Sequence, residues 1–149
     1  MKILFYARKY LTGLTRKDII KIIAHRYNLN LRGVKLKGVD LSSLDLSNAN
    51  LSNSILQGAN LSWAYLSWSN LHGANLSWAY LLEANLSWAN LSEANLERAY
   101  LSEANLQGAN LSEANLEGVN LQGANLQGAN LQGAFLSEAN LQGVKGYNP

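Results

Sequence analysis

The sequence predicts an all-β solenoid, a four-sided parallel β-helix preceded by a short α-helical N-terminal cap. Three observations predict it. Leucine recurs at every fifth residue from Leu31 to Leu141, 23 positions without a break. Two residues before nearly every leucine stands a small or branched residue: Ala at most positions from Ala49 to Ala139, Val at 34, 39 and 119, and Ser at 54 and 69, with Val144 holding the same place after the last leucine. Between the two lies Asn or Asp in most units, which gives A-N-L-x-x, as in Ala124-Asn125-Leu126-Gln127-Gly128. A period of five fits neither a helix nor a flat strand. It fits a chain that turns a corner after every unit, with Leu and Ala inward and three positions outward. Four units close one coil, and coils stack by parallel bridges about 4.8 Å apart.

Residues 1–28 form the predicted capping segment. Thr15 suits an N-cap, and Asp18 in the first turn complements the helix dipole. Ile19, Ile20, Ile23, Ala24 and Tyr27 make one apolar stripe. The stripe is expected to cover the first coil near Leu31, Val34 and Leu36. An earlier helix, about residues 3–11, ends before Gly13, a residue suited to C′.

Residues 29–145 form the predicted β-helix. Central leucines build four vertical stacks along its axis, and Ala is small because four sides share each narrow layer. Asn bonds to neighbouring backbone and eases turns. Gly at the last position of many units, such as Gly108, Gly118 and Gly128, supports sharp corners. Residues 146–149 are a tail with no room for a helical cap. Either Tyr147 and Pro149 fold across this end, or Leu136, Leu141, Val144 and Tyr147 mark where two copies would meet; a C-terminal homodimer is expected.

Composition narrows the function classes. There is no cysteine, which removes disulfides and thiolate chemistry together. The apolar stretch Ile3 to Ala7 is cut off by Arg8 and Lys9, so a cytoplasmic location is expected. The charges are unevenly placed: residues 1–37 sum to +9 and residues 38–149 to −7. Arg16, Lys17, Lys21 and Arg26 form a basic patch. It reads either as the solvated face of a cap or as a contact for nucleic acid, an anionic membrane or an acidic protein.

Side chains twenty apart stack in columns. Trp68 and Trp88 share one, and Tyr80 and Tyr100 another. Trp78 lies beneath Arg98, which invites a cation–π contact. Trp63 and Tyr65 flank a further corner. These eight residues gather on two adjacent sides. They read either as ladders that shield the outside of the solenoid or as a docking patch, because Trp, Tyr and Arg dominate interface hot spots.

Nothing points to catalysis. His25 lies on the polar side of the basic helix, and His72 stands in a serine column. There is no G-x-G-x-x-G and no P-loop lysine. Glu93, Glu97, Glu113 and Glu117 stack in pairs, with no loop that would make them a cage. No enzyme activity, cofactor or metal site is expected.

At this point the A-N-L-x-x array resembles the pentapeptide-repeat family, over about residues 29–145. The resemblance implies a right-handed quadrilateral β-helix, and the Leu-centred units are similar to those of cyanobacterial members. It also implies a non-enzymatic protein-interaction scaffold whose aromatic columns dock an unidentified protein. The alternative it offers is a nucleic-acid-related regulator, because some members protect DNA gyrase with an acidic rod shaped like a duplex. Those members favour Phe at many central positions, whereas all 23 are Leu here.

Overall fold

The computed structural model describes residues 15–17, 20 and 29–147. The predicted helix over 3–11, Asp18, most of the apolar stripe, Lys21, His25, Arg26 and Pro149 lie outside the described residues. Arg16, Lys17 and Ile20 take helical conformation. Ile20, the one described member of the stripe, is 44% exposed, while Leu31, Val34 and Leu36 are buried.

From Asn30 onward the chain is a four-sided solenoid. Parallel bridges join each residue before a leucine to the one twenty further on, from Asn30↔Asn50 to Asn125↔Lys145. The register never slips, so every column counted at twenty holds. We number the sides by their leucines. Side 1 carries Leu31 to Leu131, side 2 Leu36 to Leu136, side 3 Leu41 to Leu141, and side 4 Leu46 to Leu126.

The five-residue unit meets the hydrogen-bonding demand of its own backbone. Leu41 donates its N–H to the Asn60 carbonyl at 2.7 Å, and Ser43 donates to Ser62 at 3.0 Å. Asn60 donates back to the Val39 carbonyl at 3.0 Å. Ala49 donates across the corner to Leu46 at 3.1 Å. One N–H is left, that of the residue after Leu, and the Asn side chain takes it: Ser52 donates to Asn50 Oδ1 at 3.1 Å. The Asn is therefore a structural acceptor in each turn. In the coils from Asn110 onward its amide also bonds to the Asn twenty residues earlier, as from Asn130 to Asn110 at 3.1 Å.

The corner itself imposes a backbone rule. The last residue of all 23 units has φ between 52° and 71°. A single positive φ at this position is the mark of a type II turn. Glycine fills ten of these corners, and thirteen carry a side chain in the left-handed region. That region costs an ordinary L-residue roughly 1–2 kcal/mol.

The central leucines from Leu31 to Leu126 are buried, with Ala or Val beside most of them. Leu131, Leu136, Leu141 and Val144 are half-buried, and Tyr147 packs against this edge of the core. Among the described residues, the N–H groups of Leu131, Leu136 and Leu141 make no hydrogen bond.

Two buried positions break the pattern. Ser54 and Ser69 stand where other units place Ala, each 1% exposed, and neither hydroxyl has a hydrogen-bond partner. A buried unsatisfied polar group costs about 1–3 kcal/mol. Ser54→Ala and Ser69→Ala are each expected to raise stability by about 1 kcal/mol in chemical denaturation. A loss of stability would show that the hydroxyls are bonded after all.

Candidate functional site

The aromatic residues follow from the corner and bridge positions. Trp78 turns the corner from side 2 to side 3, Trp63 the next one, and Trp68 and Trp88 the corner from side 4 back to side 1. All four hold φ between 58° and 61°. Tyr80 and Tyr100 open side 3, and Tyr65 opens side 4, each at the place where most units have Asn. With Tyr there, the N–H groups of Ser67, Leu82 and Ser102 have no Asn oxygen to bond. Each aromatic side chain thus occupies a position where the repeat gains more from Gly or Asn.

The predicted columns form. Trp68 and Trp88 stack with ring centroids 5.5 Å apart and planes 12° from parallel. Tyr80 and Tyr100 stack at 5.1 Å and 6°. The Arg98 guanidinium carbon lies 5.1 Å from the centre of the Trp78 ring. All seven rings are exposed, Trp68 most of the tryptophans at 62%. Together they cover sides 3 and 4 over the coils of residues 61–100. Arg98 and Tyr100 border an open depression of about 330 Å³, floored by Ala99 and Gly118 and edged by Trp78, Asn120 and Glu138.

Corner side chains lean toward the next coil, and glycine there makes room. A Cβ placed on Gly108 would fall 2.5 Å from the Trp88 ring. The Arg98 stem lies over Gly118 and the Glu113 carboxylate over Gly133 in the same way.

The remaining candidates separate. Glu93 and Glu113 stand at the corner of sides 1 and 2, whereas Glu97 and Glu117 share the corner of sides 2 and 3 with Trp78 and Arg98. Among the described residues no three His, Asp or Glu gather closely enough to hold a metal ion. His72 Nδ1 lies 3.0 Å from Ser92 Oγ. That hydroxyl donates to Asn90 Oδ1 at 2.7 Å, so the serine proton points away from the imidazole. His72 therefore donates to Ser92 and does not activate it as a nucleophile.

Of the basic patch, Arg16 and Lys17 are described. Arg16 is engaged with the solenoid: it donates to the carbonyls of Asp40 at 3.2 Å and Ser42 at 3.0 Å, and pairs with the Asp40 carboxylate at 3.2 Å. Hydrogen bonds from the Ser42 hydroxyl and N–H, with the Arg16 charge adding to them, hold the Asp40 carboxyl below the usual carboxylate range. Asp40 thus adds stability above that range, and the gain is lost as pH falls through the lowered value.

The profile of the Pentapeptide repeats family matches this chain in 8 copies, over residues 30–67, 59–98, 69–108, 79–118 and 120–145. The chain belongs to the pentapeptide-repeat family. Solved structures of similar chains agree. A pentapeptide-repeat protein from the Arabidopsis thaliana thylakoid lumen is 35% identical, with TM-score 0.67 over 68% of this chain and 70% of that one. Rfr23 of the cyanobacterium Cyanothece is 35% identical, with TM-score 0.61 over 87% and 92%. Full-length QnrB1, a plasmid-mediated fluoroquinolone resistance protein, is 28% identical, with TM-score 0.60 over 78% and 66%. No functionally curated protein matches the sequence at a significant level.

Three apolar residues of this pentapeptide-repeat rod escape a reading that looks only for Trp and Tyr: Ile55, 36% exposed on side 2, Leu82 and Phe135. Leu82 is half-buried on side 3 between the Tyr80 and Glu83 positions. Phe135, 63% exposed on side 2, replaces an Asn. Their departure from A-N-L-x-x is the signal that marks them.

The seat of Trp88 can be measured. Gly108→Ala and Gly58→Ala meet the same backbone strain, with φ of 65° and 64°, but the space around Gly58 is open. Gly58→Ala is expected to cost about 1 kcal/mol in denaturation midpoint, and Gly108→Ala more. Equal costs would mean that the Trp88 ring does not rest on Gly108.

Proposed function

We propose that this protein is a non-enzymatic scaffold that docks a protein partner through the aromatic columns of sides 3 and 4. One observation carries the reading: the aromatic side chains stand where the fold gains more from Gly or Asn. Nine other side chains also take left-handed corners, but the Tyr rings in addition give up the Asn acceptor, which a column that merely decorated the solenoid would keep. Seven exposed rings on two adjacent sides also exceed what scattered surface residues explain. The solenoid holds them at fixed spacing, so little ordering is needed on binding.

The charge map favours this reading over duplex mimicry. A duplex presents charge all round its axis, with one phosphate per roughly 1.7 Å. Here seven glutamates are spread over three of the four corners, and exposed rings stand among them at two of those corners, so no side presents an unbroken row of acids.

The test compares capture from source-cell lysate by wild type and by a Trp63/Trp68/Trp78/Trp88→Gly variant with intact circular dichroism. Glycine is chosen because it fills ten corners already. Proteins retained by wild type and lost from the variant are the expected result. Equal recovery by both would overturn the reading.

A further inference from the structure

Between residues 38 and 144 the rod contains nine acids and one base, Arg98. Among the described residues none of those acids forms an ion pair with it. The guanidinium is held from below by the Trp78 ring at 5.1 Å, and its stem lies over Gly118, with Cγ 3.1 Å from the place of a Cβ there. It therefore stands fixed and unpaired at the lip of the depression between Trp78, Tyr100 and Glu138.

A second donor faces the same space. In this column Asn140 donates its amide to Asn120 Oδ1 at 3.1 Å, and Gln122 N–H donates to the same oxygen at 3.1 Å. Those two bonds fix the Asn120 oxygen inward and leave its NH2 as the free group. From Asn110 onward every other such NH2 meets an Asn oxygen one coil earlier, as Asn115 does with Asn95 at 3.4 Å. Position 100 is Tyr, so the Asn120 NH2 has no hydrogen-bond acceptor among the described residues. One substitution, Tyr100, thus both adds a ring and frees a donor beside Arg98.

We propose that this depression receives the carboxylate of an Asp or Glu in the docked protein segment, with Arg98 as its charged anchor and the Asn120 NH2 as its second donor. The inference rests on the docking reading above and names what the docked segment must carry. A single guanidinium matches a carboxylate with two parallel N–H bonds. A dianionic phosphate would meet one cation with the Glu138 carboxylate across from it. A nucleic-acid backbone would also meet the −7 of residues 38–149. Trp78 and Tyr100 would cover apolar residues on either side of the acid.

The probe is a phage-displayed library of random dodecapeptides selected on the immobilised full chain. Recovered peptides are expected to carry Asp or Glu beside aromatic or aliphatic residues. Their affinity should fall at least about tenfold for Arg98→Gln, partly recover for Arg98→Lys, and weaken with added salt. Asn120→Asp should also weaken them. It turns the donor into an acceptor yet keeps the turn bond, as Asp40 does toward Ser42 at 2.9 Å. Glu93→Gln, at the neighbouring corner of sides 1 and 2, should change the affinity far less than Arg98→Gln. Peptides that need the tryptophans but bind Arg98→Gln as tightly as wild type overturn this inference and leave the docking reading standing. Failure to recover any tryptophan-dependent peptide overturns both.

Discussion

The whole structure depends on the corner. A chain can close a square only if it turns sharply after each five-residue side, and it turns here by taking positive φ at the last residue of every unit. The turn frees one N–H that no neighbouring coil can bond, and this is why Asn precedes Leu. The turn also sets the pitch that brings Leu over Leu along the axis. Burial of those stacked leucines is the main stabilising term, and removing one leucine side chain from such a stack costs about 2–5 kcal/mol. Because the coils contact only their neighbours, the same geometry repeats without accumulated strain.

Much of this was legible in the residues. The unbroken run of leucines gave the period, and the small residue two places earlier gave the second inward position. The column arithmetic then placed Trp68 over Trp88, Tyr80 over Tyr100 and Arg98 over Trp78, because no bulge interrupts the count. The corner conformation was less legible. Gly108 or Gly128 suggested it, but Trp63 or Glu83 at the same position gave no such sign, since bulky residues seldom take the left-handed region. The free amide of Asn120 was hidden as well. It arises from the absence of an Asn at position 100, a coil away, and only the column register makes that absence count. The cap could not be read in full, because a helical stripe states which face is apolar and not what it covers. Ile20 shows the gap by standing exposed.

Rings and acids divide the work. The rings stand around sides 3 and 4 on a rigid frame, and glutamates spread over three corners keep the rod solvated. The frame supplies preorganisation, the rings supply apolar area, and Arg98 with Asn120 supplies polar selectivity at one point. In such an arrangement a few aromatic and Arg side chains dominate binding while their neighbours exclude water. The family membership fits this division because the solenoid sets positions and leaves the outward residues of each unit free to vary.

The most direct test of the account is a stability comparison, since it holds that the leucines make the fold and the rings are an addition to it. Chemical denaturation of the Trp63/Trp68/Trp78/Trp88→Gly variant would be set beside Leu86→Ala. A half-exposed Trp buries at most about 3 kcal/mol of apolar surface, and relief of its left-handed corner returns roughly 1–2 kcal/mol. The account predicts cooperative unfolding with a loss of about 1 kcal/mol or less per tryptophan, against about 2–5 kcal/mol for the single leucine. A loss per tryptophan as large as that of the leucine would contradict it and make the aromatic columns part of what holds the solenoid together.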